Sequence, residues 1–130
     1  MMSPDDELTG EYLAESREHL ATIEIDLLAL ERGGAEITEE RINRVFRGVH
    51  SIKGGAGYLG LAKIRDLAHR TEDLLALVRS HELALTPDRV RVVLRASDRL
   101  NELIQNPGAS NQAEIADVMA ALASSQAAGG

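Results

Sequence analysis

The sequence predicts an all-α fold, an antiparallel four-helix bundle with a short fifth helix near the C-terminal end. Apolar residues recur at spacings of three and four in four long segments, and no segment alternates with the period of a strand. The 130 residues include three aromatic residues, so leucine, isoleucine, valine and alanine must fill the core, and this composition favours helices. The loops between the segments are short, which is typical of helices that pack antiparallel.

The first two helices are marked by their ends. Ser3 can cap a helix that has Pro4 in its first turn, and Gly33-Gly34 ends it. Thr38 can cap the second helix, which reaches the glycines near residue 57. The apolar positions of the two helices are Leu13, Leu20, Ile23, Leu27 and Leu30, then Ile42, Val45, Phe46, Val49 and Ile52.

The remaining helices follow the same rules. A third helix runs from about Leu61 to Ser80, and Thr86-Pro87-Asp88 starts a fourth. Residues 106–110 break the chain, and residues 113–123 form the short fifth helix. We assign residues 1–124 to one bundle domain. Residues 125–130 are predicted to begin a flexible linker, because they are small and polar.

Composition and charge exclude several classes of function. The net charge of −7 opposes binding to nucleic acid, which needs clustered lysine and arginine. Cysteine is absent, which excludes disulfides, thiol nucleophiles and cysteine zinc sites. No apolar run approaches the roughly 18 residues that cross a bilayer, and the acidic N-terminal segment lacks the apolar core of an export signal. We expect a cytoplasmic protein that binds neither nucleic acid nor membrane.

A histidine beside several glycines, in the segment VHSIKGGAGYLG (residues 49–60), is the feature that calls for a function. At about 100° per residue, His50 lies on the flank of the apolar stripe, with Gly54 and Gly57 close to it on the next turns. Glycine inside a helix costs up to about 1 kcal/mol relative to alanine. We predict that these glycines clear the surface beside a reactive imidazole. The alternative is that Gly54 and Gly55 only fray the helix end.

The third helix is predicted to bring two polar side chains to His50. If the chain reverses near residues 60–61, position 50 is level with about positions 70–72, next to His69 and Glu72. A carboxylate that accepts the Nδ1 proton, the role predicted for Glu72, leaves Nε2 as a nucleophile toward phosphorus. Lys53 can offset charge on the phosphoryl oxygens, and His69 can hydrogen-bond nearby or shuttle protons. Alternatively, His69 and Glu72 are ordinary solvated surface residues.

The segment FRGVHSIKGGAGYLGL (residues 46–61) resembles the phosphoacceptor signature of histidine phosphotransfer (HPt) domains, and most of all the N-terminal phosphotransfer domains of CheA-type chemotaxis kinases. The resemblance extends to ESREHLATIEIDLLALE (15–31) and LAHRTEDLLALVR (67–79), and covers about residues 8–105. It implies the same bundle, with His50 as the phosphorylated residue. The other positions that match the family's motif are Lys53, Gly54, Gly55, Gly57, His69 and Glu72.

The resemblance also implies partners. His50 would accept a phosphoryl group from the ATP-binding domain of a histidine kinase and pass it to an aspartate of a response-regulator receiver domain. The chain itself would hold no cofactor and no metal, because ATP and Mg²⁺ would be bound by the kinase domain. The small, polar C-terminal end and the CheA-like motif favour a fragment of a longer kinase over a complete protein.

Other interpretations of the same residues are weaker. Residues 55–60 match the dinucleotide pattern G-x-G-x-x-G, but a helical segment precedes them where a strand is required. A metal site inside a bundle needs two Glu-x-x-His pairs, and the chain has one reversed pair, His69 and Glu72. The main alternative is a helical docking or scaffold bundle without phosphoryl chemistry, which would not require His50, Lys53, the glycines and Glu72 together.

Overall fold

The structure, a computed structural model, describes residues 4–33 and 38–127, and in these ranges it contains helices and no strand. This confirms the predicted fold class. Ser3, Gly34 and residues 128–130 lie outside the described ranges. The helices are α1 (Pro4–Glu31), α2 (Thr38–Leu59), α3 (Ala62–Arg79), α4 (Pro87–Gln105), the single turn α5 (Pro107–Ser110) and α6 (Ala116–Ala127).

The four long helices form the bundle, and α6 packs against both α3 and α4. The predicted apolar stripes face the common core, where each helix contributes fully buried side chains. The largest of these include Ile23, Leu27, Ile52, Ile64, Leu67, Leu74, Leu100, Ile104 and Leu122. None of the helices in the described ranges is long and apolar enough to cross a membrane.

The turn between α2 and α3 closes at Gly60, which has a φ of +73°. The Leu61 N–H donates to the Ala56 carbonyl at 2.9 Å, a bond that spans the last turn of α2. A positive φ of this size suits glycine, which has no Cβ to clash with its own backbone. The chain therefore reverses at residues 60–61, as the sequence predicted.

This turn sets the register of α2 against α3. The Arg79 Nε donates to the Asn43 Oδ1 at 2.8 Å, near the start of α2 and the end of α3. Near the turn, a Cβ built on Gly57 would lie 3.7 Å from the Arg65 Cδ. Position 50 lies halfway between Asn43 and Gly57 on α2, and position 72 lies halfway between Arg65 and Arg79 on α3. Position 50 therefore faces position 72.

The C-terminal helix extends beyond its predicted end. We expected a flexible linker from residue 125, but α6 continues to Ala127 and Ser125 is buried. The buried Arg89 side chain donates from Nε to the Ser125 carbonyl at 3.1 Å and from Nη1 to the Ala84 carbonyl at 2.8 Å. The small residues of this segment are compatible with a helix that has close neighbours, so composition alone gave the wrong structure for residues 125–127.

One buried carboxylate joins α1 to α2. Asp26 is 2% exposed. It accepts hydrogen bonds from Arg44 at 2.8 and 3.0 Å and from Arg41 at 2.8 Å. The Arg44 guanidinium is the main cause that holds the pKa of Asp26 below its ordinary value, and Arg41 acts in the same direction against the opposing effect of burial. The carboxylate therefore stays ionised inside the bundle.

We predict that Asp26→Asn lowers the free energy of unfolding at pH 7 by about 1–3 kcal/mol. The loss is smaller than for a fully buried ion pair because both arginine side chains are partly solvated. A lowered native pKa stabilises the fold above the unfolded pKa, and this contribution is lost as the pH falls through the native value. In urea denaturation, the difference between wild type and variant should thus shrink as the pH falls below the unfolded pKa of about 3.9.

Glu40→Gln is the matched control, because Glu40 contacts the same Arg44 at 3.4 Å but on the surface. Its effect should stay within about 0.5 kcal/mol. Equal effects of the two substitutions, or a difference that does not change with pH, would contradict the role of Asp26.

Candidate functional site

His50 lies on the outer side of α2, next to the buried stripe. Its neighbours Val49 and Ile52 are fully buried, whereas 63% of the His50 side chain is exposed. The helical period places it at the edge of the core, where one side of the ring can contact α3 and the other faces solvent. This is the flank position that the sequence predicted.

The carboxylate of Glu72 on α3 contacts the imidazole of His50 at its Nδ1 edge. Its Oε2 lies 2.5 Å from the His50 Nδ1, and its Oε1 accepts a hydrogen bond from the Lys53 Nζ. The Glu72 side chain is 12% exposed, and each of its carboxylate oxygens has a hydrogen-bond partner within the protein. The structure thus brings Glu72 to His50, where the sequence predicted it, and adds Lys53 as a second partner of the same carboxylate.

The charge state of Glu72 determines which nitrogen of His50 carries the proton. Burial raises the pKa of this carboxyl group, but hydrogen bonds and charge from Lys53 and His50 outweigh that effect and hold it below its ordinary value. An ionised carboxylate can only accept hydrogen bonds. The Nδ1 of His50 must therefore be the donor, and in the neutral ring the lone pair lies on Nε2.

Lys53 does not point at the open side of His50. We expected its ammonium group to face the phosphoryl oxygens, but the structure pairs it with the Oε1 of Glu72. Its side chain is three-quarters buried, at 25% exposure, and a buried ammonium needs a nearby counter-charge. In this position Lys53 keeps Glu72 ionised and orients its carboxylate.

His69 also differs from the prediction. Its Nε2 lies 3.5 Å from the Oδ1 of Asp73, one turn further along α3, and its side chain is largely exposed. The pairing at this i,i+4 spacing competes with the predicted convergence on His50. The structure places His69 on the same helix face as Glu72 without a contact to the His50 ring within the described residues.

The glycines after His50 have different surroundings. All lie inside α2, which continues to Leu59, so they do not end the helix. A Cβ on Gly54 would meet nothing within 4 Å, and one on Gly57 would make an ordinary contact with the Arg65 Cδ. These two glycines leave an open helix surface beside His50. A Cβ on Gly55 would instead lie 2.3 Å from the Tyr12 Cδ1, so clearance at the imidazole was the wrong role for Gly55.

Tyr12 on α1 explains why residue 55 is a glycine. Its ring lies directly over the Gly55 backbone, and its hydroxyl donates to the Ile52 carbonyl at 2.8 Å. Burial raises the pKa of Tyr12 to about 12, so this hydroxyl stays protonated as a donor. Sequence reasoning missed the pair, because a contact between α1 and α2 cannot be found from the spacing on either helix alone.

The open side of His50 adjoins a shallow cavity of about 370 Å³. It is lined by Phe46, Arg47, His50, Ser51 and Glu72. The Phe46 ring stacks against the imidazole, with ring centroids 6.3 Å apart and planes 11° from parallel. The sequence predicts Phe46 only as a core residue, although its spacing of four residues from His50 also allows this contact.

A profile of the Hpt domain family matches residues 7–125. The chain belongs to the Hpt domain family. This confirms the predicted resemblance, and the match covers all three residues of the His50–Lys53–Glu72 cluster.

In the described residues, no group of three or more histidine, aspartate or glutamate side chains is arranged to hold a metal ion.

This Hpt domain is similar to parts of longer curated proteins and, over nearly its whole length, to a solved domain structure. It is 44% identical over 92 residues to the chemotaxis protein CheA of Rhizobium meliloti, and 35% identical over 98 residues to the sensor histidine kinase CheAY of Helicobacter pylori. These alignments cover 71% and 75% of the chain but 12% of each relative. The chain therefore spans a small part of the length of these curated relatives.

One solved structure that matches is the phosphorylated P1 domain of CheA3 from R. sphaeroides, in complex with CheY6. The TM-score is 0.83 at 29% sequence identity, and the match covers 95% of this chain and 98% of that one. The Hpt domain described here therefore has the fold of a P1 domain over nearly its whole length.

We predict opposite effects on stability for alanine at the two adjacent glycines. Gly55→Ala forces the Tyr12 ring to move and breaks its hydrogen bond, so the free energy of unfolding should fall by about 1–3 kcal/mol. Gly54→Ala meets no neighbour and should raise it by up to about 1 kcal/mol through helix propensity. Thermal and urea denaturation of both variants would test this. Equal effects would show that Gly55 is not constrained by Tyr12.

Proposed function

We propose that this Hpt domain is a phosphohistidine carrier in which His50 accepts a phosphoryl group from a histidine kinase and passes it to a receiver domain. The observation that carries the proposal is the 2.5 Å contact between the His50 Nδ1 and the Glu72 Oε2. This contact puts the proton on Nδ1, while the other side of the ring faces solvent. In the neutral ring Nε2 then carries the lone pair, and 63% of the side chain is exposed, which is what a nucleophilic histidine requires.

The transfer would proceed in two displacements at phosphorus. In the first, the Nε2 lone pair forms a bond to the γ-phosphorus of ATP, and the bond from that phosphorus to the bridging oxygen breaks, so its electron pair leaves with ADP. The Nδ1 proton stays in the hydrogen bond to Glu72, whose negative charge offsets the positive charge on the ring. In the second, an aspartate oxygen of the receiver attacks the phosphorus and the electron pair of the N–P bond returns to Nε2.

The proposed partners are a histidine-kinase catalytic domain and a response-regulator receiver. ATP and Mg²⁺ would be bound by the kinase domain, and the Hpt domain would contribute the acceptor histidine. The relatives support this, since they are a chemotaxis protein and a sensor histidine kinase, and the matched P1 domain is phosphorylated and in complex with CheY6. We propose that the chain acts in chemotaxis-type two-component signalling in the cytoplasm, as the phosphotransfer part of a CheA-type kinase.

We predict that His50 is the phosphorylated residue. The chain should be labelled when incubated with the catalytic domain of a CheA-type kinase and ATP labelled at the γ-phosphate. The label should be acid-labile and alkali-stable, as a phosphoramidate is, and His50→Gln should abolish it while Ser51→Ala keeps it. Circular dichroism would verify that both variants are folded. Label retained by His50→Gln, or found on Ser51, would refute the assignment, and no label on wild type would favour a docking bundle.

We predict that Glu72→Ala reduces the phosphorylation rate by roughly ten- to a thousandfold, because the proton is no longer held on Nδ1. Glu72→Gln should recover little, since an amide can accept the hydrogen bond but carries no charge. In nitrogen NMR spectra, the Nδ1–H form of the neutral ring should dominate in wild type and lose its dominance in Glu72→Ala. Asp73→Asn, which alters the neighbouring pair with His69, is the control and should react at the wild-type rate. Equal rates for all variants would remove Glu72 from the mechanism.

A further inference from the structure

A second cross-helix bridge lies seven residues, about two turns, along α2 and α3 from the His50–Glu72 contact. The Arg79 Nε donates to the Asn43 Oδ1 at 2.8 Å, and the Arg79 guanidinium carbon lies 4.2 Å from the centroid of the Phe46 ring. The Phe46 ring stacks in turn against the imidazole of His50. Phe46 therefore lies between the two bridges and contacts a member of each.

The directions of the side chains explain this chain of contacts. Side chains on a helix lean toward its N-terminus. On α2 this brings the His50 ring back over Phe46, and on the antiparallel α3 it brings Arg79 toward Phe46 from the opposite side. A guanidinium over an aromatic face is attracted by the negative face of the ring, and two nearly parallel rings at 6.3 Å are in the range of offset stacking.

The hydrogen bond to Glu72 does not restrict every rotation of the imidazole. It fixes one edge of the ring at Nδ1, but the ring can still rotate about that contact. The lone pair of Nε2 lies in the ring plane, so the tilt of the plane sets the direction in which Nε2 approaches phosphorus. Displacement at phosphorus needs this direction to be aligned within about 10–20°. A flat surface against the ring face supplies the missing restraint.

We propose that Phe46 is a positioning residue that sets the plane of the His50 imidazole, and that Arg79, held by Asn43, fixes Phe46 in turn. This inference rests on the proposed function of His50 as phosphoryl acceptor. Phe46 is partly buried against the core and Arg79 is exposed on the last turn of α3. Phe46 thus packs against the core on one side and contacts the exposed His50 ring on the other.

The test compares four variants of the full chain. Phe46→Leu keeps an apolar side chain but removes the ring, and Phe46→Tyr restores a ring. Arg79→Met keeps the apolar stem but removes the guanidinium. Arg70→Met is the matched control, because Arg70 is an exposed arginine on the same helix. Denaturation curves would verify that each variant is folded at the assay temperature.

Two measurements separate positioning from a purely structural role. The first is the rate of phosphorylation by a CheA-type catalytic domain as the concentration of this chain is varied, which gives kcat and KM. We expect kcat to fall roughly three- to tenfold in Phe46→Leu, and by a smaller factor in Arg79→Met, with KM unchanged. Phe46→Tyr and Arg70→Met should retain the wild-type kcat.

The second measurement is independent of phosphorylation. Three-bond NMR couplings report the χ1 angle of His50, and nuclear Overhauser contacts between the His50 and Phe46 rings report their relative tilt. Wild type and Phe46→Tyr should show one χ1 rotamer and ring-to-ring contacts. Phe46→Leu should show averaged couplings while the Nδ1–H form persists, since Glu72 is unchanged.

The outcomes distinguish this inference from the proposed function. If wild type is labelled but Phe46→Leu matches its kcat, the positioning role is wrong. A raised KM with an unchanged kcat would also overturn it, because Phe46 would then contact the kinase domain. If wild type is not labelled at all, the proposed function fails, and averaged χ1 couplings in the wild-type chain would by themselves overturn the restraint on the ring.

Discussion

Because the turn at Gly60 holds a φ of +73° and ties Leu61 back to Ala56, α2 and α3 run antiparallel in a single register. In that register position 50 faces position 72. A shift by one residue would rotate each contact by about 100° around the helix and separate the imidazole from the carboxylate. The chemistry available to His50 is therefore set ten residues away, by a backbone conformation that favours glycine.

Helix α2 supplies hydrogen-bond donors to a carboxylate on each of its neighbours α1 and α3 by the same arrangement. Two arginines three residues apart, Arg41 and Arg44, hold the Asp26 carboxylate of α1. His50 and Lys53, again three apart, hold the Glu72 carboxylate of α3. In each case a shielded carboxylate keeps its charge because two donors on one helix converge on it. The functional cluster differs from the structural one mainly in that one of its donors, His50, remains open to solvent.

The sequence was sufficient for the features that depend on one helix and on the turn between two. Periodicity gave the four long helices, the buried stripe of α2 and the flank position of His50, and the reversal near residue 60 placed Glu72 opposite it. Contacts between helices that are not joined by a short turn could not be found in this way. Tyr12 reaches Gly55 from α1, and the distance between the two positions depends on how α1 tilts against α2.

The side chains that were misplaced are those with a competing partner nearby. Lys53 was expected at the phosphoryl oxygens, but its side chain is three-quarters buried and its ammonium group pairs with the carboxylate of Glu72. His69 was expected at His50, but Asp73 lies at i,i+4 on its own helix. Spacing tells which groups are near one another, whereas burial and charge decide which of them pair.

A carrier has to meet two requirements that oppose each other at a single imidazole. One nitrogen must be exposed enough for two large partners to approach in turn, yet the ring must keep one tautomer and one orientation, which exposure tends to randomise. The bundle separates these requirements across the ring. The Nδ1 edge is held by the nearly buried Glu72, the ring face is placed against Phe46, and the helix surface ahead of the ring is bare at Gly54. The glycine weakens α2 where, under the proposed function, a partner approaches, and the core stripe beneath it keeps the helix formed. The buried side of α2 thus fixes the orientation of the His50 ring, and the exposed side of the helix leaves the ring open to solvent.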